Sequence, residues 1–279
     1  MKRMNPTHKQ EFKPAKWMGQ NFLIDRGALK KIVESGELTK DDVIVEVGPG
    51  FGVLTFELAK KVKKVIAVEK DKTLAKILKE QLLENEISNV QVVEGDMLKI
   101  NILELIGNDT LQIAHYKLIG NIPYYITAPL IRKFLESGRK PSIMVLMVQK
   151  EVAQRICAKS VQNQMSLLAI SVRFYAEPEI IAYVSKKSFR PSPKVDSAII
   201  KIAVKKPKDL PKIDSELFFK IVKAGFAGKR KQLINTLSRG LEKTKGQVKE
   251  VLEQAMIQPE RRAESLSLEE WVALVKKIS

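Results

Sequence analysis

Residues 44–52, Ile44-Val45-Glu46-Val47-Gly48-Pro49-Gly50-Phe51-Gly52, are the stretch that decides the predicted fold. A β-branched apolar run leads straight into three glycines, and a helical pattern follows over residues 53–61. Glycines let the backbone turn tightly and approach a ligand closely at the carboxyl end of a strand. The third glycine comes one residue too early for the G-x-G-x-x-G fingerprint of dinucleotide-binding proteins. The loop therefore predicts a ligand that carries no phosphates.

Apolar, β-branched runs recur along the first two thirds of the chain and predict buried strands. Those that alternate with helical patterns cover residues 43–47, 65–68, 90–93, 117–119 and 143–148. Such alternation predicts βαβ units and a parallel sheet covered by helices. Two further strands, 179–184 and 197–204, have no helix between them and should pair antiparallel. We therefore predict an α/β fold with a Rossmann-like sheet of seven strands, of which the last pair is antiparallel.

The last quarter of the chain predicts a separate, all-helical region. Residues 205–213 (KKPKDLPKI) contain prolines and charges that interrupt any regular pattern. Only helical patterns follow, over residues 216–225, 229–239, 247–256 and 268–277. We divide the chain into an α/β ligand-binding domain over 1–207, which includes a basic N-terminal arm at 1–16, and a small all-α domain over 208–279.

The amino-acid composition limits which binding partners and which cellular compartment fit this sequence. A net charge of +17 and a pI near 9.7 indicate a polyanionic partner, most often nucleic acid. The competing interpretation is a generally basic protein from a lysine-rich proteome. The single cysteine excludes an intrachain disulfide framework and fits a reducing cytoplasm. Because the chain has only this cysteine and two histidines, we expect no metal site. No apolar run approaches the roughly 20 residues that span a bilayer, so we expect no membrane association.

Acidic residues mark the ends of the second and third predicted strands. Glu69 follows residues 65–68, where a carboxylate can accept hydrogen bonds from both hydroxyls of a ribose. Asp96, followed by Met97, ends the third strand, where a carboxylate can accept from the amine of an adenine ring. Taken singly, an acid at the end of a strand is usually a helix cap. Together, Gly48, Glu69 and Asp96 at one edge of three neighbouring strands predict an adenosyl ligand.

The fourth predicted strand runs into Asn121-Ile122-Pro123-Tyr124, which resembles the signature of methyltransferases that act on nucleobase amines. An exocyclic amine donates its lone pair into the aromatic ring and is a poor nucleophile. We expect the Asn121 side-chain oxygen and the Ile122 carbonyl to accept from its two hydrogens and to favour a pyramidal nitrogen. Pro123 fixes the turn, and the Tyr124 ring offers a face on which a flipped base can stack. The alternative is a β-turn with an aromatic neighbour.

Further motifs are similar to those of the ribosomal RNA small-subunit adenine N6-dimethyltransferases. They are residues 19–23 (GQNFL), 149–155 (QKEVAQR), 189–197 (FRPSPKVDS), 226–237 (FAGKRKQLINTL) and 262–266 (RAESL). The resemblance extends from about residue 14 to residue 275. It implies a class I methyltransferase sheet, S-adenosyl-L-methionine as cofactor, and an RNA-binding role for the helical domain.

The resemblance also implies roles for individual residues. Those expected to bind the cofactor are Asn21, Leu23, Gly48, Gly50, Glu69, Asp96, Met97 and Asn121. Those expected at the catalytic centre are Asn121, Ile122, Pro123, Tyr124 and Phe189, with the Phe189 ring sandwiching the target base against Tyr124. Lys229, Arg230 and Lys231 are expected to contact RNA.

Within this family, the branch that the sequence resembles dimethylates two adjacent adenines in a hairpin loop near the 3′ end of small-subunit (16S) ribosomal RNA. We therefore expect a cytoplasmic, monomeric enzyme that acts on that RNA in the pre-30S subunit. The alternatives are a large-subunit ribosomal RNA adenine methyltransferase of the antibiotic-resistance type, a non-catalytic assembly factor, and a nucleotide-dependent oxidoreductase. The glycine spacing disfavours the oxidoreductase, and the complete set of cofactor-binding residues disfavours the assembly factor.

Overall fold

The computed structural model describes residues 20–106, 116–158, 165–228 and 230–278. The predicted basic arm at 1–16 and the predicted RNA contact Lys229 lie outside these residues. The strands in the described part of the chain are β1 (Phe22–Leu23), β2 (Val43–Val47), β3 (Lys64–Glu69), β4 (Val90–Glu94), β5 (Tyr116–Asn121), β6 (Ile143–Gln149), β7 (Ala176–Val184), β8 (Phe189–Arg190) and β9 (Ser197–Val204).

Helices cover both faces of the sheet and form the C-terminal region. They are α1 (Arg26–Ser35), α2 (Val53–Ala59), α3 (Lys72–Glu84), α4 (Ile102–Ile106), α5 (Thr127–Leu135), α6 (Lys150–Cys157), α7 (Leu167–Tyr175), α8 (Ser215–Phe226), α9 (Leu233–Gly240), α10 (Lys245–Gln254) and α11 (Leu268–Ile278). Side-chain caps start several of them: Asp71 Oδ1 accepts from Thr73 N and Leu74 N at the start of α3. None of the helices in the described ranges is both long and apolar enough to cross a membrane.

The main sheet has seven strands in the order β4-β3-β2-β5-β6-β9-β7. Strands β2 to β6 run parallel to one another, whereas β9 is antiparallel to both β6 and β7. This confirms the predicted α/β fold, the strand number and the antiparallel last pair. Strands β1 and β8, which the sequence analysis did not predict, form a separate two-stranded sheet. It connects the segment before α1 to the proline-rich loop, residues 189–197.

The central strands are buried on both faces, as expected for a parallel sheet between helices. All five residues of β2 are buried, and four are β-branched apolar residues that pack well in a strand. The exception is Glu46, a carboxylic acid in the middle of this apolar strand. The carboxyl ends of β2, β3 and β5 lie side by side, because Val47 pairs with Val68 and Glu46 pairs with Ile119. These three strands therefore bring their following loops to one edge.

The C-terminal helices pack directly on the α/β part. The ring of Phe174 in α7 lies 4.6 Å from the ring of Phe218 in α8, centroid to centroid. Trp271 of α11 is fully buried against Gly225 of α8, where an added Cβ would lie 2.4 Å from the indole. One continuous core cluster includes residues of the sheet and of these helices. The domain boundary between 207 and 208 stays a prediction.

The predicted helix over 229–239 begins later than expected. α9 starts at Leu233, and the amide of Lys231 donates to the Gly228 carbonyl over 2.9 Å to form a turn before it. Arg230 and Lys231 consequently lie in this turn and not on the helix. The physical reason is local: the chain needs the turn after Gly228 to bring α9 back against α8.

Candidate active site

A cleft of about 1850 Å³ opens at the carboxyl edge of the sheet. Its walls include the glycine loop, the buried acids Glu46 and Glu69, the segment from Gln20 to Leu23, and the Asn121–Tyr124 tetrapeptide. The structure therefore brings together residues from four distant parts of the chain. Most of the sequence-predicted cofactor and catalytic residues lie in these walls.

The glycine loop turns through left-handed backbone that L side chains rarely adopt. Gly48 has a φ of +70° and Gly50 a φ of +57°. A Cβ on Gly48 would lie 3.7 Å from the Asn121 carbonyl oxygen, and one on Gly50 would lie 3.0 Å from the Phe22 ring. The loop is thus in close contact with both the tetrapeptide and the segment from Gln20 to Leu23.

Glu69 anchors the glycine loop to the end of β3. Its Oε2 accepts from the Gly50 amide over 3.0 Å, and its Oε1 accepts from the Asp71 amide over 2.9 Å. Burial raises the pKa of Glu69 above its ordinary value, and these backbone amides oppose the rise. Each carboxylate oxygen has a second lone pair, so Glu69 can still accept from ribose hydroxyls.

Asp96 lies beside Glu69, since the Gly95 amide donates to the Glu69 carbonyl over 2.8 Å. Asp96 Oδ1 accepts from Leu98 N over 3.0 Å, and Oδ2 forms an ion pair with Lys70 Nζ at 2.9 Å. Burial works to raise the pKa of Asp96, but the Lys70 hydrogen bond and the Leu98 amide outweigh it and the pKa is lowered. The carboxylate is therefore ionised and available to an amine.

Asp96 and Met97 are not among the residues that line the cleft itself. Met97 is buried in the core, with 3% of its surface exposed. Asp96 is partly exposed beyond Glu69, next to the cleft.

The tetrapeptide has two hydrogen-bond acceptors to which no described residue donates. Asn121 Nδ2 donates to the Asn21 carbonyl over 3.0 Å, and no described residue donates to its Oδ1. The Ile122 carbonyl likewise accepts no hydrogen bond from the part of the chain that the structure describes. Pro123 has a φ of −57° and begins a short 3₁₀ turn. The role of both acceptors toward a target amine stays a prediction.

Tyr124 is held by a residue that sequence analysis missed. Its hydroxyl lies 2.7 Å from the Oγ of Ser197, which is completely buried at the start of β9. Burial raises the pKa of Tyr124. The phenol therefore stays neutral and fixes the orientation of its ring.

Phe189 does not line the cleft. Only 2% of its surface is exposed, and its partner in the β1–β8 pair is Leu23. Both side chains belong to the smaller core cluster of the sheet. The structure therefore does not place Phe189 opposite Tyr124, and the predicted sandwich stays a prediction.

Glu46 and Gln20 are two site residues that sequence analysis did not single out. Glu46 lines the cleft with 1% of its surface exposed, and its Oε2 has no described hydrogen-bond partner. Burial raises the pKa of Glu46 to about 8. Gln20 Nε2 donates to Asp71 Oδ2 over 3.0 Å, which ties the N-terminal segment to the loop after Glu69. An acid inside an apolar strand was the available signal for Glu46.

Arg230 and Lys231 are both exposed in the turn before α9. Neither forms an ion pair with a described residue. Among the residues with described positions, no group of three or more His, Cys, Asp or Glu could hold a metal ion.

Comparison with known proteins identifies the family to which this chain belongs. The sequence profile of the family described as ribosomal RNA adenine dimethylase matches residues 11–278. The chain belongs to this family. Curated dimethylase relatives named ribosomal RNA small subunit methyltransferase A are 44% identical in Dehalococcoides mccartyi, over 93% of this chain and 86% of theirs. The relative of the same name in Clostridioides difficile is 41% identical over 96% of this chain and 92% of its own.

Solved structures agree with the family assignment. A dimethyladenosine transferase from Plasmodium falciparum superposes with a TM-score of 0.76 at 26% identity, covering 91% of this chain and 95% of its own. The 23S rRNA methyltransferase ErmE superposes with a TM-score of 0.71 at 27% identity, covering 92% and 99%. Membership of the dimethylase family and this methyltransferase fold imply the use of S-adenosylmethionine.

The residues of the cleft fit that cofactor. The unpartnered Glu46 Oε2 is a buried acceptor suited to a cationic group, and Glu69 is an acceptor suited to hydroxyls. Gly48 and Gly50 have left-handed φ angles that other residues rarely adopt, so the loop presents backbone without side chains at these two positions of the cleft wall. No basic side chain among the described residues 44–52 prepares this loop for a phosphate.

Proposed function

We propose that this protein transfers methyl groups from S-adenosylmethionine to the N6 amines of two adjacent adenosines in a hairpin loop near the 3′ end of small-subunit ribosomal RNA. The pre-30S subunit in the cytoplasm is the proposed site of action. The 41–44% identity to relatives named for the small subunit supports this substrate. The identity to a 23S rRNA methyltransferase is lower, at 27%, and gives weaker support to the large-subunit alternative.

On the cofactor side, S-adenosylmethionine supplies a methyl group on a positively charged sulfonium, which becomes a neutral thioether on transfer. We assign the ribose hydroxyls to Glu69 and the adenine amine to Asp96. The ammonium of the amino-acid end is assigned to Glu46, whose orphaned carboxyl oxygen gains a partner there. The remaining predicted cofactor-binding residues are Asn21, Leu23, Gly48, Gly50 and Met97.

The single observation that carries the proposal is the orientation of Asn121. Its Nδ2 is committed to the Asn21 carbonyl, so its Oδ1 remains as an acceptor in the cleft. With the Ile122 carbonyl it provides one acceptor for each hydrogen of an exocyclic amine. Such preorganised acceptors stabilise the charge that develops on the nitrogen during transfer. The methylated nitrogen then releases one proton to solvent, so no His or Cys side chain is required as a base.

The base itself is proposed to stack on the Tyr124 ring, which Ser197 holds in place. A sandwich with Phe189 requires the proline-rich loop to move, because this ring is buried in the structure. Arg230, Lys231 and Lys229 are proposed to contact phosphates of the RNA.

The proposal is tested with purified protein, labelled S-adenosylmethionine, and both small and large ribosomal subunits that lack the modification. Nucleoside mass spectrometry should detect N6,N6-dimethyladenosine in the small-subunit RNA only. Dimethyladenosine in large-subunit RNA would favour the antibiotic-resistance type. Binding of subunits without any methyl transfer would favour a non-catalytic assembly factor.

A further inference from the structure

A basic surface lies next to the cleft on the outer part of the sheet. It consists of Lys150, Tyr183, Lys186, Lys187, Arg190 and Lys194, and we refer to it as the rim surface. Lys150 begins α6 directly after β6, Tyr183 is near the end of β7, and the others lie between β7 and β9. All of these elements end or begin at the edge of the sheet that carries the cleft.

The cations of the rim surface are not neutralised by the protein. All five are exposed, and none forms an ion pair with a described residue. The nearby Asp196 uses Oδ1 to accept from the Lys186 amide over 3.0 Å. Four of the five cations lie within residues 186–194, and exposed cations concentrated in a short segment favour the binding of an anion.

The opposite end of the same β7–β9 hairpin behaves differently. There Lys205 pairs with Glu177 at 2.9 Å, and Lys201 lies 3.6 Å from Glu179. The hairpin thus pairs its charges at the end away from the cleft and leaves them unpaired at the end beside it. This asymmetry is not expected of a merely solvated strand pair.

Tyr183 adds an exposed aromatic ring to this surface. It is 54% exposed, and Lys150 Nζ lies 5.2 Å from its ring centroid, a cation–π contact that orients both side chains. Protection of the sheet edge does not require it, because Pro178 and the bulge between Ile180 and Ala182 already interrupt β7 as a pairing edge. Cations beside an exposed ring are typical of surfaces that bind single-stranded nucleic acid.

The register connects the rim surface to the target pocket. Tyr183 pairs with Ala198 and Val184 pairs with Ser197, the residue that holds the Tyr124 hydroxyl. Arg190 is part of the rim surface and also lines the cleft. Tyr183 therefore lies at the cleft end of β7, one residue before the partner of Ser197, with the side chains of Tyr183 and Val184 on opposite faces of the sheet.

We propose that the rim surface binds the single-stranded RNA that flanks the target adenosine, with Tyr183 stacking on a neighbouring base and the five cations contacting phosphates. The proposal rests on the proposed function, since it assumes that the cleft takes an RNA base. It adds a second RNA-binding region to the one predicted at residues 229–231.

The test uses the full chain and a synthetic hairpin RNA whose loop carries two adjacent adenosines. Binding is measured over a range of salt concentrations for Tyr183→Ala, Tyr183→Phe and the double variant Lys186→Ala/Lys187→Ala. Tyr183→Ala should weaken binding roughly five- to 150-fold, the range expected when one base no longer stacks on an aromatic ring, and Tyr183→Phe should retain it. The double variant should lower the slope of log K against log salt by about 0.7 for each phosphate that the two lysines neutralise.

The matched control is Lys63→Ala/Lys79→Ala, which removes two exposed lysines without ion pairs among the described residues. Lys63 precedes β3 at the other edge of the sheet, so this variant should keep the parental slope. Parental affinity and slope in Tyr183→Ala and in Lys186→Ala/Lys187→Ala would overturn the proposal. Equal weakening in Tyr183→Phe and Tyr183→Ala would also contradict stacking.

The proposed function is tested by methyl transfer, separately from the binding measurements that test the rim surface. Parental protein that binds the hairpin and unmodified subunits but never yields dimethyladenosine contradicts the function, whereas the rim surface is judged from binding alone. Cofactor affinity, measured by calorimetry, should be unchanged in all rim variants, which excludes a general loss of fold.

Discussion

The side-chain amide of Asn121 donates a hydrogen bond to the backbone carbonyl of Asn21 over 3.0 Å, across 100 residues of sequence. This hydrogen bond joins the segment before α1 to the loop after β5. It also decides which atom of the amide is available, because the nitrogen is committed and the oxygen is left for a ligand. The segment from Gln20 to Leu23 therefore orients the Asn121 amide in addition to lining the cleft.

Asn121→Ala should lower the rate of methyl transfer more than the affinity for RNA. Removing one preorganised polar group that acts on the reacting centre typically costs about 10²–10³ in rate. Single-turnover kinetics with saturating RNA measure this rate. Asn121→Asp is the informative companion variant: it keeps an acceptor but removes the donor to Asn21, and its charge repels that carbonyl. Parental rates in Asn121→Ala would contradict the mechanism.

Tyr124 and Ser197 should act as one unit. Tyr124→Phe keeps the ring face but removes the hydrogen bond to Ser197, which is worth about 0.5–1.5 kcal/mol. Ser197→Ala should cause a similar small decrease in RNA affinity, and the double variant should be no weaker than either single one. Tyr124→Ala removes the stacking face and should cost about 1–3 kcal/mol. Additive effects in the double variant would show that the hydroxyls act independently.

Glu69→Ala should weaken cofactor binding with the fold intact. A hydrogen bond to a buried charged group is worth about 1.5–3 kcal/mol, so the affinity should fall roughly ten- to a hundredfold. Isothermal titration calorimetry with S-adenosylhomocysteine measures it directly. Glu253→Ala, which removes an exposed carboxylate of α10 that pairs with Lys249 and does not line the cleft, is the control and should leave the affinity unchanged.

The sequence was sufficient for the sheet and for the acids at its edge, because parallel strands necessarily bring their carboxyl ends together. Gly48, Glu69 and Asp96 could be predicted for that reason. Ser197 could not, since its hydrogen bond with Tyr124 depends on how β9 inserts between β6 and β7. The burial of Phe189 was equally hidden, because it follows from the short β1–β8 pair. Local sequence patterns predict helices and strands, whereas these contacts depend on how those elements pack against one another in the folded chain.

The stability of the chain should depend on pH through Glu46. Burial raises its pKa to about 8, Thr55 opposes the rise, and the charge of Glu69 adds to it. An unfolded glutamate ionises near 4.5, so between these values the folded chain binds more protons than the unfolded chain. The free energy of unfolding should therefore fall as pH rises through this window, by at most about 1.4 kcal/mol per pH unit.

Glu46→Gln should remove this contribution because the amide stays neutral. Urea unfolding of both proteins at about pH 5.5, 7 and 8.5 provides the comparison. Relative to the parent, the variant should gain stability with increasing pH. Glu69 is present in both proteins, so its own titration largely cancels. A constant difference across this range would show that Glu46 is ionised in the folded protein throughout.

Basic residues in the turn before α9 should contribute to RNA affinity by neutralising phosphates. Arg230 and Lys231 are exposed and without ion pairs among the described residues, and Lys229 precedes them in sequence. Replacing all three by alanine should reduce the slope of log K against log salt by about 0.7–0.9 for each phosphate that they neutralise. The Lys63→Ala/Lys79→Ala variant, which removes two of the three positive charges that the triple variant loses, is the control for a general loss of net charge. Because phosphate contacts carry no sequence information, the triple variant should bind hairpins with altered loop sequences more weakly by the same factor. A parental slope in the triple variant would instead mean that these cations only solvate the turn.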